Sequence, residues 1–288
     1  MAVWWSAMAE WFLFLPQLRL PIADIADRAR HAEASGFDGI AFIDHLEAPG
    51  LPGESIWEAM TVATWVAAAT ERLRIGHLVL CDAFRHPAVL AKQAVTLSAA
   101  SNGRFELGLG SGSWPAEFAR FDVGQQDPVA RVEQLGRHLE LITQYWGRGE
   151  DPDRSQQPRP EYPIPLVLGG TGRRTMKLVR QYADWWNVPA NHIDRLPQLA
   201  PDASPARISV QQMVGFVRQG ADPAAVRDVS TRRFGYLGSG LICGDAGELV
   251  GHFTGLTALG VERFYVWFAD FAAPESLHEF GESVIRGF

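Results

Sequence analysis

An acid followed directly by an imidazole, Asp44-His45, stands at the end of the short apolar run Gly39–Ile43. Such a pair can hydrogen-bond a heterocycle and move a proton near neutral pH, where imidazole titrates. Spacing alone leaves a plainer option open, a helix cap beside a surface histidine. A second segment, Glu106-Leu107-Gly108-Leu109-Gly110-Ser111-Gly112-Ser113-Trp114, carries three alternating glycines, more than a turn needs. Bare backbone at Gly110, Ser111 and Gly112 gives a ligand close access to N–H groups, although a glycine cluster by itself is a loose signal. A third, Gly169-Gly170-Thr171-Gly172-Arg173-Arg174-Thr175, opens a helical stretch. Free N–H groups, a helix dipole and an arginine together suit an anion such as phosphate, with an ordinary glycine-rich turn as the alternative. The run Ile75 to Cys81 reads as a central strand in which Gly76 lets another group approach.

These segments need elements to hold them. Apolar runs at Trp11–Leu15, Gly39–Ile43, Leu73–Cys81, Arg104–Leu109, Ile164–Leu168, Asp184–Val188, Ile208–Val217 and Arg263–Phe268 read as eight strands. Helical stretches separate them: Pro21–Ser35, Ser55–Thr70, Pro87–Ala100, Pro128–Trp146, Arg173–Tyr182, Asp222–Arg233, Asp245–Leu259 and Pro274–Ile285. Ser55 and Glu58 stand in capping-box register. Alternating strand and helix predicts an α/β fold with a parallel sheet, and eight units predict one closed (β/α)8 TIM barrel over residues 1–288. An open doubly wound sheet fits less well, because no G-x-G-x-x-G turn follows the first strand. In a barrel, ligands bind at the C-terminal strand ends, where the three segments above fall. The polar stretch 148–163 reads as a surface loop.

Composition narrows the function. The chain has 288 residues, 47% hydrophobic and 20% charged, and a net charge of −7. An acidic protein without a Lys/Arg block argues against nucleic acid and against anionic membrane surfaces as partners. No run reaches a membrane span, and the apolar stretch Met1–Ala9 lacks a basic leader. Two distant cysteines, Cys81 and Cys243, suit a reducing cytoplasm. No P-loop, no G-x-S-x-G elbow and no zinc spacing is present, so no metal is expected. His31, His138, His252 and His278 fall in helices and read as solvated. Ten tryptophans can pack a core or line a pocket for a planar ligand.

The ordered set Phe14-Leu15-Pro16-Gln17, Gly36-Phe37-Asp38, Asp44-His45, Ala69 to Gly76, Phe84-Arg85-His86-Pro87 to Lys92, Gly103 to Gly110, Gly169 to Arg174 and Ala183-Asp184-Trp185-Trp186-Asn187 resembles the bacterial-luciferase-like flavin and deazaflavin oxidoreductases. The resemblance runs over nearly the whole chain. It implies a barrel, usually a homodimer, with the cofactor across the mouth. It also implies a non-proline cis peptide at Leu78–Val79 supporting the ring. Asp44 would bond the cofactor head and His45 would relay a proton. Gly110, Ser111 and Gly112 would lie beside the ring, and Gly169, Gly170, Thr171, Gly172 and Arg173 would hold the phosphate. Glu117 matches an acidic position that faces substrate, or else is a helix N-terminal charge.

Asp-His at this position leans toward coenzyme F420 and hydride transfer to or from a small organic substrate. FMN with O2 and a separate flavin reductase is the second reading. A non-catalytic flavin binder is the third, against which the Asp44-His45 pair argues. Three features depart from the family pattern. His77 replaces a small or hydroxylic residue and implies a narrowed slot or a second titrating group. Ser113-Trp114 replaces an acid found near the sugar-phosphate dehydrogenases. The segment after Trp146-Gly147 is short, implying an absent lid.

Overall fold

The computed structural model describes residues 9–149 and 151–288. The expectation for Met1–Ala9 thus lies, Ala9 apart, outside the described residues. In chain order the elements are β1 (Glu10–Phe14), α1 (Ile22–Ala34), β2 (Gly39–Phe42), α2 (Ala59–Ala69), β3 (Arg74–His77), β4 (Leu80–Cys81), α3 (Pro87–Ala100) and β5 (Leu107–Gly110). They continue with α4 (Pro115–Phe121), α5 (Pro128–Tyr145), β6 (Leu166–Gly169), α6 (Arg173–Tyr182), β7 (Trp185–Val188), α7 (Leu196–Leu199) and β8 (Arg207–Phe216). The last are α8 (Pro223–Phe234), β9 (Leu241–Gly244), α9 (Ala246–Ala258), β10 (Val261–Phe268) and α10 (Pro274–Phe280).

The strands pair in parallel in the order β3-β2-β1-β10-β8-β7-β6-β5-β4. β3 and β4 are two halves of one barrel strand, and the bridge from Ile75 to Phe105 joins β3 to the strand that also pairs β4. The expected barrel is present. Its strands are buried on both faces, as helix-covered parallel strands must be, so they read as continuous apolar runs.

Three local expectations change. The strand predicted over 73–81 is broken at Leu78–Val79, whose peptide is cis, as the resemblance implied although the apolar pattern did not. The box predicted at Ser55 does not form: α2 starts at Ala59, and Glu58 itself caps it by accepting from the Thr61 N–H. A capping box does occur at Asp245 and Glu248, opening α9. The pattern also missed β9, which extends the edge of β8 beyond β7, pairing Met213–Phe216.

The barrel floor is ionic. Arg263, fully buried, donates to Glu10 at 2.7 Å and to Glu106 at 2.6 and 3.0 Å. Arg74 pairs with the same two acids at 2.9 and 3.3 Å. The Arg263 guanidinium lies 3.8 Å from the Trp185 ring centroid and 4.1 Å from that of Phe12. These residues sit at or near the N-terminal strand ends, so the floor is closed and the opposite end carries the open site.

Candidate active site

Gln17 fixes the end of β2. Its amide donates to the carbonyls of Ile43 at 2.6 Å and Trp57 at 2.9 Å and accepts from Ile43 N at 3.1 Å. The next two residues are therefore held in place. Asp44 accepts from Cys81 N at 2.8 Å and from Arg85 in a two-pronged contact at 2.6 and 3.0 Å. Both its oxygens are engaged within the protein, whereas the resemblance aimed this carboxylate at a cofactor head. Arg85 also pairs with Glu58. Burial alone would raise the Glu58 carboxyl, but hydrogen bonds from Thr61 and the Arg85 guanidinium hold it at about 2.

His45 Nδ1 lies 3.0 Å from Glu117 Oε2. Glu117 is 1% exposed, and its other oxygen accepts from the N–H groups of Leu46 and Glu47. A carboxylate only accepts, so Nδ1 carries the hydrogen and Nε2 is the atom left to take or give a proton. Nε2 has no hydrogen-bond partner among the described residues. Glu117 is thus not an exposed helix charge: it is a buried carboxylate that holds the imidazole, a role the sequence did not suggest, and it also lines the cavity described next.

One cavity of about 470 Å³ joins these groups across the mouth. It brings together Asp44, His45, Leu78, Val79, Gly110, Ser111, Gly112, Glu117, Gly169, Gly170 and Thr171. Gly172 and Arg173 are not among the lining residues; they are exposed at the start of α6. The alternating glycines have a packing reason. A Cβ at Gly108 would run into the His77 carbonyl, and one at Gly110 would lie 2.6 Å from a Val79 methyl. The His77 carbonyl and the Val79 side chain lie against β5 on either side of the break between β3 and β4, and only glycine on β5 leaves them room.

Sequence reasoning missed Arg85, present in a quoted motif but given no role, and the residues after β7. Pro189, Asn191 and His192 line the cavity, together with Asn187 and Gln211. The rule that picked Asp44 and His45, the first residues beyond a barrel strand, would have found Pro189, Asn191 and His192. Arg195, on the same turn, lies 3.5 Å from the Thr171 hydroxyl.

Other expectations are corrected. His77 does not narrow the cavity: it is 1% exposed, its Nε2 lies 3.2 Å from the Ala59 carbonyl, and its ring contacts Phe42 and Phe105 beneath α2. Burial pushes its pKa down to about 4, so it stays neutral. The described residues of the 148–163 segment leave the end of a helix and pack on α3, where the Gln156 amide donates to the Ala88 carbonyl at 3.0 Å, and none of them lines the cavity. His138 and His252 are partly buried and bonded, to Asp82 and Gln212 at 2.9 Å each, because their helix faces turn inward. No tryptophan of the described residues lines the cavity. Burial pushes the Cys81 thiol up to about 12, which keeps it protonated at the cavity wall. No helix of the described residues is long and apolar enough to cross a membrane.

The luciferase-like monooxygenase family profile matches residues 5–207. An F420-dependent glucose-6-phosphate dehydrogenase of Amycolatopsis mediterranei is 31% identical over 176 residues, 56% of this chain and 51% of that protein. Among solved structures, an F420-dependent secondary alcohol dehydrogenase in complex with an F420-acetone adduct superposes with a TM-score of 0.78 at 17% identity, covering 96% of this chain and 98% of that one. The monooxygenase RslO1 from Streptomyces bottropensis gives 0.73 at 14%, covering 96% and 99%. At such identities the two structures speak for the fold, and the family profile, spanning more than half of the residues, places the chain: it belongs to the luciferase-like monooxygenase family.

Proposed function

We propose that the protein is an F420-dependent oxidoreductase that moves a hydride between the deazaflavin and a small organic substrate. The observation that carries this reading is the His45–Glu117 pair at one end of a cavity whose other end is a glycine loop opening a helix. The lining fits a flat ring with an anionic tail. Leu78 and Val79 offer an apolar shelf, and a side chain at Gly110 would collide with it. Both carboxylates of the lining, Asp44 and Glu117, lie at the His45 end, while Gly169, Gly170 and Thr171 precede the positive N-terminus of α6. The name of the Amycolatopsis relative supports F420 over FMN.

When bound, the deazaflavin supplies the two-electron chemistry. The chain's own residues do the rest. His45 Nε2 gives or takes the proton at the substrate oxygen, and Glu117 holds the ring in the tautomer that permits it. Asp44, locked by Arg85 and Cys81, ties the end of β2 to the end of β4 and so fixes the shelf against His45. Gly169, Gly170 and Thr171 hold the phosphate with backbone N–H groups; Gly172 and Arg173 act from the outer rim.

The second reading, an FMN monooxygenase served by a separate reductase, draws on the likeness to RslO1. A fluorescence titration with F420 and FMN, each oxidised and reduced, separates the two. Tight F420 binding with poor FMN binding is the expected result, and preference for reduced FMN would replace this reading with the second. A cytoplasmic homodimer completes the proposal. Its dimer part draws on Trp65 on α2 and Val89 on α3, which are 50% and 53% exposed on helices following neighbouring barrel strands.

A further inference from the structure

We propose that the groove between α5 and α6 is a second binding site, which holds the anionic tail of the cofactor; this rests on the deazaflavin reading above. Beyond its phosphate, F420 ends in a chain of glutamyl residues, each adding a carboxylate and an amide N–H. The protein carries a net charge of −7, yet α6 bears Arg173, Arg174, Lys177 and Arg180 and no acid. Arg180 turns away, donating to the Asp202 carbonyl at 3.1 Å. Arg174 and Lys177 face a groove of about 430 Å³ whose other wall, α5, supplies Arg137, Glu133 and Glu140.

The charges of this groove are unmatched. None of these charged side chains forms an ion pair or a hydrogen bond among the described residues, although acids on one wall stand opposite cations on the other. The groove is wide enough to keep the two walls from closing on each other. Its floor is set by Gly136, a residue unfavourable inside a helix, where a Cβ would lie 3.1 Å from a Leu178 methyl. An occupant must offer carboxylates to Arg137, Arg174 and Lys177, and N–H groups to Glu133 and Glu140. A small inorganic anion meets the first demand and not the second. A glutamyl chain meets both.

The groove also begins where the phosphate site ends. Arg174 directly follows Arg173, at the rim assigned to the cofactor phosphate, and α6 runs from there along one wall to Tyr182. At 1.5 Å per residue that wall is about 12 Å long, room for a few glutamyl residues. Lys177 stands one turn beyond Arg174, so successive carboxylates meet successive cations. The three cations are exposed, so each pair is weak and salt-sensitive. The tail thus adds affinity without taking part in hydride transfer.

The test uses the purified full chain and reads cofactor binding, not turnover, by F420 fluorescence. Long-tailed F420 is compared with the tailless form, which keeps the phosphate and has no glutamyl residue, at low and at high salt. Two triple variants accompany the parent. One is Arg137→Gln/Arg174→Gln/Lys177→Gln in the groove. The other, Arg227→Gln/Arg232→Gln/Arg286→Gln, removes the same charge elsewhere on the surface. The parent is expected to bind the long-tailed form about 10-fold tighter at low salt, the combined strength of three exposed ion pairs. High salt is expected to abolish the difference. The groove variant is expected to bind both forms alike, near the parent's affinity for the tailless one, and the surface variant to keep the preference. Equal affinities for the two forms in the parent at low salt, a preference that survives in the groove variant, or one lost equally in the surface variant would each overturn the proposal. Binding of neither form by the parent is a different outcome: it removes the deazaflavin reading and this proposal with it.

Discussion

Glu117 reaches His45 across 72 residues of sequence because α4 folds back over the barrel mouth and buries its carboxylate against the 45–47 backbone. His45 and Asp44 were legible as residues just past a strand. Their partners were not, since a partner depends on which loops meet, and spacing carries no record of that. Glu117→Gln keeps the shape, but with the Leu46 and Glu47 N–H groups holding its one amide oxygen it turns an NH2 donor toward Nδ1, where the imidazole tautomer needs an acceptor. Its kcat is expected to fall at least about 10-fold, less than the about 10²–10⁴-fold expected for His45→Ala, with little change in F420 affinity by titration. A larger loss of affinity than of kcat would mean that Glu117 serves binding instead. Arg85→Met leaves Asp44 buried with only the Cys81 N–H, and breaking a buried pair costs about 3–5 kcal/mol. Denaturant unfolding measures that loss, and pairing the change with Asp44→Asn is expected to recover part of it.

At the scale of elements, the alternation of apolar and helical runs was enough for the barrel, because every parallel strand needs a crossover. Breaks and short additions escaped that pattern. Apart from Arg74 and His77 the run 73–81 is apolar or glycine, so nothing in its periodicity marks the interruption at Leu78–Val79 that makes β3 and β4. The mark lay on the neighbouring strand, in the alternating glycines of β5, which the sequence reading assigned to ligand access. Four-residue β9 and α7 are too short to show a period at all. Gly108→Ala tests the glycine argument. A methyl there meets the His77 carbonyl, backbone against backbone, so β5 and β3 must separate. Overpacking of this kind costs about 1–3 kcal/mol or more, seen as a lowered Tm, whereas Gly251→Ala on α9, with open space around its Cβ position, is expected to be neutral or better.

Taken whole, the barrel separates its stability from its chemistry, with an ionic floor at one end and the cavity at the other. Arg263→Met strands Glu10 and Glu106 without their central cation and is expected to cost about 3–5 kcal/mol in denaturant unfolding, while F420 affinity in folded protein stays near that of the parent. Acidity probes the interior from a third place. His77 is held neutral, its pKa pushed by burial from the ordinary 6.5 to about 4, so protons bind it in the unfolded chain first. Its contribution to stability is therefore full above pH 6.5 and is lost as pH falls toward 4, a change of about 3 kcal/mol. His252, also lowered by burial, acts in the same sense. Glu58, held at about 2, loses its contribution only below its ordinary 4.5, and Asp38, raised by burial, opposes the loss near pH 4. The interval from pH 6.5 to 4.5 thus belongs mainly to the buried histidines. Urea midpoints measured across it are expected to fall steadily for the native sequence and markedly less for His77→Leu, which keeps the volume between α2 and the barrel wall but binds no proton. Parallel slopes for the two proteins would show that His77 takes up its proton in the folded state as readily as in the unfolded one, and that burial beneath α2 does not keep it neutral.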